Sequence, residues 1–190
     1  MKRLFIVHGW GGRPDKGWLG WLNAESTKRG FKVVAELMPE PEFPKIGPWV
    51  SKLKELVGTP DGDTYFVGHS IGVQTIIRYL ESLPENSRVG GAIFVAGWFN
   101  LKKLDTDEEK EVAGPWLSTP IDLKKVRTII SRSVALFSDD DPYVPVEDSR
   151  LFRDGLDSKI IIERNKGHFV EGEIGKMPVV LDELMRISAL

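Results

Sequence analysis

Residues 64–72 place a serine between two glycines, directly after a short apolar run. The glycines and the serine match the G-x-S-x-G nucleophile elbow, in which a strand turns sharply into a helix and presents a serine hydroxyl. Such a turn forces Ser70 toward positive φ, and Gly68 and Gly72 suit the turn because they have no Cβ. A helical pattern of apolar residues follows. The segment therefore predicts Ser70 as the nucleophile of an acyl-transfer reaction.

A serine hydroxyl is a poor nucleophile unless a neighbouring base takes its proton. The chain has three histidines. His69 is adjacent to Ser70, and neighbouring side chains diverge at such a turn. His8 ends the first predicted strand and is better interpreted as a loop-packing imidazole that bonds to the backbone. His168 follows the last predicted strand, where the general base of strand-turn-helix enzymes lies. We therefore predict His168 as the base.

The acid that orients the base should follow a strand between Ser70 and His168. Three consecutive aspartates occupy such a position, directly after an apolar run. Asp141 has the D-x-x-V-P spacing that commonly carries the acid, which makes it the first candidate. Asp140 is the second candidate and Asp139 the third. The competing interpretation is a turn and capping cluster, which aspartates favour, and at least two of the three are expected to serve that way.

Two backbone amides are predicted to stabilise the oxyanion. They belong to Ile71, the residue after the nucleophile, and to Trp10 in a glycine-rich loop after the first strand. Aromatic residues at strand ends are candidates for lining an apolar acyl pocket, and these are Trp98, Phe99, Trp116, Tyr143 and Phe169. The histidines show no metal-ligand spacing, so neither a metal nor a cofactor is expected.

Short apolar runs alternate with helical patterns along the chain, which is typical of an α/β protein with a mostly parallel sheet. The predicted strands are Leu4–Val7, Lys32–Glu36, Thr64–Val67, Gly91–Val95, Ser133–Phe137 and Lys159–Ile162. The predicted helices lie near Trp18–Arg29, Gly47–Val57, Ile71–Leu83, Asp122–Ile129, Val146–Leu156 and Pro178–Ile187.

Two segments depart from the alternation. Residues 37–48 contain four prolines and are predicted to form an irregular loop. Residues 97–120, called the insertion below, combine aromatic residues with a charged stretch. Long connections of this kind often serve as lids or pocket walls. The alternative is an exposed surface loop whose aromatic residues pack into the core. The sequence favours neither interpretation.

The bulk properties limit the function classes. A chain of 190 residues is expected to form one domain over residues 1–190. A net charge of −2 gives no reason to expect nucleic acid or an anionic membrane as a partner. The absence of cysteine excludes disulfides and a thiol nucleophile. The N-terminal apolar run is too short for a signal peptide, and no stretch has the length of a membrane span. A cytoplasmic protein is expected.

Six motifs follow one another along the chain: GWGG at 9–12, GWLGWL at 17–22, Met-Pro at 38–39, GHSIG at 68–72, DDPYVP at 140–145 and GHF at 167–169. In this order they resemble the small α/β-hydrolases of the retinoblastoma-binding-protein-9/YdeN serine hydrolase family, over nearly the full length. The resemblance implies an α/β-hydrolase fold, a compact three-layer sandwich with about six strands and helices on both faces. It also implies Ser70 as nucleophile, Asp141 as acid and His168 as base. His8 is a departure, because some relatives have proline there.

The expected function is hydrolysis of an ester, thioester or amide of a small-molecule acyl substrate, in the class of the carboxylesterases. Ser70 would form an acyl-enzyme, and water would release the acyl group. The rival interpretation is a non-catalytic α/β-hydrolase scaffold that binds a protein partner, because a fold does not establish a function. An acyltransferase or a peroxidase that uses the same three residues is a third interpretation.

Overall fold

A six-stranded sheet forms the centre of the computed structural model, which describes residues 1–170, 172 and 174–189. The strands are β1 (Arg3–Val7), β2 (Lys32–Val34), β3 (Thr64–His69), β4 (Gly91–Val95), β5 (Ser133–Ser138) and β6 (Lys159–Glu163). They lie in the order β2-β1-β3-β4-β5-β6, and every pairing between them is parallel. The predicted parallel sheet and its six strands are thus confirmed.

Helices connect the strands, as parallel pairing requires. They are α1 (Gly17–Lys28), α2 (Ile46–Val57), α3 (Ile71–Glu81), α4 (Asp107–Ser118), α5 (Leu123–Ile129), α6 (Ser149–Leu156) and α7 (Pro178–Ser188). A short 3₁₀ helix, Val146–Asp148, precedes α6. Six of these helices match predicted ones, and α4 was not predicted.

Both faces of the sheet are covered, which explains why its central strands are apolar throughout. Alternate residues of each strand enter opposite cores: Phe5 and Phe66 face α2, α3, α5 and α6, whereas Leu4 and Val67 face α1 and α7. All residues of β3, β4 and β5 are buried. These are the three layers of the α/β-hydrolase fold. Among the described residues, no helix combines the length and the apolar character needed to cross a bilayer.

Helix α4 lies in the insertion and begins with a capping box. The Thr106 hydroxyl accepts from the Glu109 amide, and the Glu109 carboxylate accepts from the Thr106 amide at 2.8 Å. The insertion therefore forms a helix where the sequence patterns predicted none. Few apolar residues mark the helix, since only Ala113 and Trp116 are buried, and Pro115 lies inside it. A proline and a weak apolar stripe both count against a helix in a sequence pattern.

The proline-rich segment is irregular up to Lys45, but its last residues belong to α2, which begins at Ile46. Pro48 lies in the first turn of this helix. The backbone N–H groups of a first turn have no intrahelical acceptor, so proline sacrifices no hydrogen bond there. The predicted loop is therefore shorter than residues 37–48.

Candidate active site

Ser70 lies at the turn between β3 and α3, with φ 52° and ψ −120°. A non-glycine residue at this φ is strained, and such strain persists only where the surroundings impose it. The amide of Ser70 donates to the Val95 carbonyl at 2.9 Å, which extends the β3–β4 pairing into the turn. The serine is therefore held rigidly at the end of a buried strand.

The flanking glycines are required by the close approach of α3 to the sheet. A Cβ at Gly68 would lie 2.9 Å from the Val73 amide nitrogen. A Cβ at Gly72 would overlap the carbonyl oxygens of Val7 and His8 at the end of β1. Both positions thus need the absence of a side chain, which is the physical reason for the G-x-S-x-G spacing here.

Ser70, His168 and Asp141 form one hydrogen-bonded chain. The Ser70 Oγ lies 2.8 Å from His168 Nε2, and His168 Nδ1 lies 2.8 Å from Asp141 Oδ2. The other carboxylate oxygen, Oδ1, accepts the amides of Tyr143 at 2.8 Å and Val144 at 3.0 Å. Asp141 is 2% exposed. Because its carboxylate accepts from Nδ1–H, the Nε2 lone pair of His168 is directed at the serine hydroxyl.

Parallel pairing brings these three residues together. Ser70 follows β3, Asp141 follows β5, and His168 follows β6. The carboxyl ends of parallel strands share one edge of a sheet, so residues far apart in sequence meet there. Asp139 and Asp140 do not bind the imidazole. Their side chains accept backbone amides of the segment before His168 instead.

Two candidate oxyanion donors lie beside the serine. Ile71 is the first residue of α3, so its amide has no intrahelical acceptor and lies at the positive end of the helix dipole. Trp10 lines the cavity over Ser70. The Trp10 indole N–H donates to the Glu42 carbonyl at 2.8 Å, which fixes the side chain against the proline-rich segment.

His8 anchors the loop that carries Trp10. Its Nε2 accepts the Met38 amide at 2.9 Å, so Nδ1 carries the proton and donates to the Gly9 carbonyl at 2.7 Å. The imidazole is fully buried and packs edge-on against Trp49. These contacts are those of a loop-packing histidine, and they tie the first loop to the proline-rich segment.

A cavity of about 290 Å³ opens above the serine and the imidazole. Its walls are largely apolar, and the insertion supplies much of them. The apolar lining residues are Trp10, Ile71, Trp98, Leu101, Leu104, Tyr143 and Val170. The charged residues Lys103, Asp105 and Glu109 also line this cavity. The insertion thus forms a pocket wall, and sequence reasoning missed Leu101, Leu104 and Val170 because their local patterns resemble any surface loop.

Three of the predicted pocket residues lie outside this cavity, which corrects the prediction. Phe99 packs on Phe152 with ring centroids 5.0 Å apart. Trp116 is 1% exposed, and its indole N–H donates to the Pro44 carbonyl at 3.0 Å. Phe169 is fully buried in the core under α1 and α7. Large aromatic side chains bury the most apolar area in a core, and proximity to a strand end does not override that.

The insertion is bonded at its start to the segment that carries Asp141. The buried carboxylate of Asp148 accepts the amides of Phe99 at 2.6 Å and Asn100 at 2.8 Å, and the Asn100 side chain at 2.7 Å. Lys102 donates through Nζ to the Asp141 carbonyl at 2.7 Å. Its amide also bonds to the Tyr143 carbonyl at 2.8 Å. The start of the insertion and the segment around Asp141 are therefore joined by the same set of hydrogen bonds.

The end of the insertion is held from beneath by Arg78 on α3. Its Nη2 donates to the carbonyls of Trp116 and Thr119, both at 2.9 Å, and its Nε to Gln74 at 3.2 Å. Burial lowers the pKa of the Arg78 guanidinium, and these acceptors offset the loss of water around it. The helix that begins directly after Ser70 thus also supports the pocket wall.

Comparison with known proteins places the chain in a family. The model of the family described as serine hydrolase matches residues 4–186. The chain belongs to this serine hydrolase family. The YdeN protein of Bacillus subtilis (strain 168) is 28% identical over 184 residues, which cover 96% of this chain and 94% of YdeN. Serine hydrolase RBBP9 of Rattus norvegicus is 26% identical over 186 residues, 96% of this chain and 95% of its own.

Solved structures agree with this assignment. The crystal structure of the YdeN gene product from B. subtilis superposes with a TM-score of 0.90 at 27% identity, over 100% of both chains. A carboxylesterase structure from Nitrososphaera gargenis shares the fold with a TM-score of 0.73 at 17% identity, over 99% of this chain and 90% of its own. The chain is therefore a hydrolase, and it has the α/β-hydrolase fold. Within residues 1–170, 172 and 174–189, no cluster of three or more metal-binding side chains is found.

Proposed function

We propose that this serine hydrolase cleaves an ester of a small apolar acyl group, with Ser70 as nucleophile, His168 as general base and Asp141 as the acid that orients it. The observation that carries the proposal is the continuous chain from Ser70 Oγ through the imidazole to Asp141, with both links at 2.8 Å. A serine activated through histidine by a buried carboxylate is the arrangement that acyl transfer requires.

The proposed reaction has two halves. Ser70 Oγ attacks the ester carbonyl while His168 Nε2 takes its proton, and Asp141 stabilises the resulting imidazolium. The amides of Ile71 and Trp10 donate to the oxyanion. Nε2 then gives its proton to the departing alcohol as the carbon–oxygen bond breaks. Water attacks the acyl-enzyme with His168 again as base, and the acid and free Ser70 are released.

The cavity supports a small apolar acyl group as the substrate class. A volume of about 290 Å³ is at the lower end of ligand pockets. Apolar and aromatic side chains make up most of its lining, which favours an uncharged chain or ring over a charged one. One structural neighbour of the same fold is a carboxylesterase, which makes an oxygen ester the first bond to test.

The test uses a fluorophosphonate probe together with p-nitrophenyl acetate, butyrate and octanoate. Ser70→Ala should abolish labelling and lower kcat by about 10⁴-fold or more, because the covalent step is lost. Ser51→Ala, at an exposed serine of α2, is the matched control and should behave like wild type. A Ser70→Ala variant that labels and turns over like wild type contradicts the proposal. A wild-type protein that stays unlabelled and captures a protein partner supports the scaffold interpretation.

A further inference from the structure

The segment that carries His168 has an unusual backbone. In residues 164–170, called the His168 loop below, Asn165, Gly167 and Phe169 have φ of 53°, 51° and 53°. Two of these three are non-glycine residues, for which positive φ is unfavourable. Such a backbone persists only where neighbouring groups hold it. The contacts that hold this loop therefore decide where the imidazole lies.

Three successive amides of the His168 loop bind three successive side chains at the end of β5. The pairs are Asn165 N–H with Asp139 Oδ1 at 3.0 Å, Lys166 N–H with Ser138 Oγ at 3.0 Å, and Gly167 N–H with Asp140 Oδ1 at 2.8 Å. The Ser138 hydroxyl in turn donates to Asp140 Oδ1 at 2.6 Å. Asp140 thus supports the loop both directly and through Ser138.

The opposite side of the loop is held through its carbonyl groups. His69 Nε2 donates to the His168 carbonyl, with the two atoms 2.8 Å apart. The Trp18 indole N–H donates to the Phe169 carbonyl at 2.9 Å. The rings of His69 and Trp18 pack edge-on, 5.8 Å apart. These two side chains are buried, so the loop is fixed between a buried aromatic pair and the side chains after β5.

We propose that Asp140 is a positioning residue for His168, because its carboxylate holds the Gly167 amide and so keeps the imidazole within reach of Ser70. The inference rests on the proposed function, since it takes His168 as the base. Gly167 directly precedes His168, whereas Asp139 acts three residues away, at Asn165. The Ser138 hydroxyl and the Gly167 amide lower the pKa of Asp140. Its carboxylate is therefore ionised at neutral pH and accepts from both donors.

Asp140 is a suitable target for substitution because its side chain is exposed. Its removal leaves no cavity in the core, so the fold should survive. Asp140→Ala should lower kcat about 10- to 100-fold with KM within a factor of two, because a small displacement of the base slows proton transfer far more than it weakens binding. The rate constant of fluorophosphonate inactivation should fall in parallel.

Asp140→Asn is the conservative variant, since its amide oxygen can still accept from Gly167 and Ser138. Its kcat should stay within about fivefold of wild type. Asp154→Ala, at an exposed aspartate of α6 that pairs with Arg153, is the matched control and should leave kcat unchanged. Equal losses in Asp140→Ala and Asp140→Asn, or a thermal midpoint that falls in Asp140→Ala while kcat stays at the wild-type value, would overturn the proposal.

A second measurement is independent of turnover. The Nδ1–H proton of His168 bonds to Asp141 and should give a downfield NMR resonance in the wild-type protein. In Asp140→Ala this resonance should broaden or vanish, and in Asp140→Asn it should persist. If the wild-type protein lacks esterase activity but the resonance responds this way, the positioning inference stands and the proposed function fails. An unchanged resonance in Asp140→Ala contradicts the inference whatever the activity is.

Discussion

The His168 loop and the insertion both border the cavity above Ser70, but they are held in different ways. Each amide from residue 165 to 167 binds a side chain at the end of β5, and two carbonyls bind buried rings. Among the described residues, the insertion is bonded mainly near its ends, to Asp148, to Arg78 and to the segment that carries Asp141. Its middle carries exposed ion pairs, such as Lys103 with Asp105 at 3.0 Å.

The two segments differ in what they serve: the His168 loop serves proton transfer, and the insertion serves binding of the substrate. Proton transfer between an imidazole and a hydroxyl depends on placement to within a fraction of an ångström, and the loop is held by bonds on both sides of His168. Apolar binding is non-directional and tolerates displacement. Exposed ion pairs contribute little to stability, and a wall held by them can change without disturbing the reacting atoms. We therefore expect substitutions in the loop to alter rates and substitutions in the insertion to alter substrate preference.

The largest effect should come from Asp141→Asn, which we expect to lower kcat by about 10⁴-fold. The amides of Tyr143 and Val144 occupy one oxygen of Asp141. The amide oxygen of asparagine would keep those two bonds, so its NH₂ would face His168 Nδ1. That arrangement places the imidazole proton on Nε2. This atom faces Ser70, so it could no longer accept the proton of the serine hydroxyl. Steady-state kinetics with p-nitrophenyl butyrate measures the loss.

The same assay on Asp140→Asn gives the comparison for this prediction. Both variants replace one carboxylate by an amide at neighbouring positions, but only Asp141 bonds to the imidazole. Comparable losses in the two variants would mean that negative charge near His168, and not the tautomer, is what matters. That result would contradict the separate tasks we assign to the two aspartates.

Asp148→Ala should produce the next largest effect, on stability. It removes the acceptor of three hydrogen bonds from residues 99 and 100, and unsatisfied buried donors destabilise the fold by about 3 kcal/mol in total. Urea denaturation measures the change, and KM for the longer esters should rise as the wall loosens. Asp182→Ala, at an exposed position of α7, should stay near wild-type stability. A stability loss no larger than that of this control would show that the start of the insertion needs no anchor.

Leu101→Trp tests recognition alone. The larger side chain should fill part of the cavity, so kcat/KM for the octanoate ester should fall about 10- to 100-fold while the value for acetate changes little. Leu117→Trp, at a residue of α4 outside the cavity, is the matched control. A uniform loss for all three esters would indicate that the wall also positions the reacting atoms, contrary to the comparison above.

The smallest effect concerns pH and stability. Because the folded-state pKa of Asp140 is lowered from 3.8, its carboxylate favours the folded state above about pH 4, and this contribution is lost as pH falls through the lowered pKa. The thermal midpoint of wild type should therefore exceed that of Asp140→Asn at neutral pH. The two should converge as the pH falls below the lowered pKa of Asp140. A difference that is constant between pH 2 and 6 would show that ionisation of Asp140 is not involved.

Most of the fold followed from local patterns. Short apolar runs mark the six strands, apolar residues at helical spacing mark most of the helices other than α4, and the G-x-S-x-G segment marks its own turn. Helix α4 was missed because buried apolar residues are few along it and Pro115 interrupts it. The spacing from Thr106 to Glu109, a capping-box pattern, was the one signal present. A sequence pattern predicts a helix only where the apolar stripe along that helix is strong.

The site was predictable where one element determines it and unpredictable where two elements meet. Ser70 and His168 were predicted from a turn and a strand end, and the structure brings their side chains within 2.8 Å of each other. Asp140 and Asp139 were the second and third candidates for the acid. Their bonds to the amides of Gly167 and Asn165 were not predicted, because these donors follow a different strand, β6. Phe99 and Trp116 were assigned to the pocket because both follow β4, but which side of the chain faces the cavity depends on tertiary packing against Phe152 and Trp49.

The strand order has a consequence for how the protein is made. From β3 onward, each new strand joins the same edge of the sheet, in the order in which it leaves the ribosome. Synthesis from the N-terminus thus permits stepwise growth of the sheet without rearrangement. The elbow can form once β3 and α3 have emerged, but His168 arrives only after β6 has docked. Ser70 would therefore lack its proposed base until the last strand is in place.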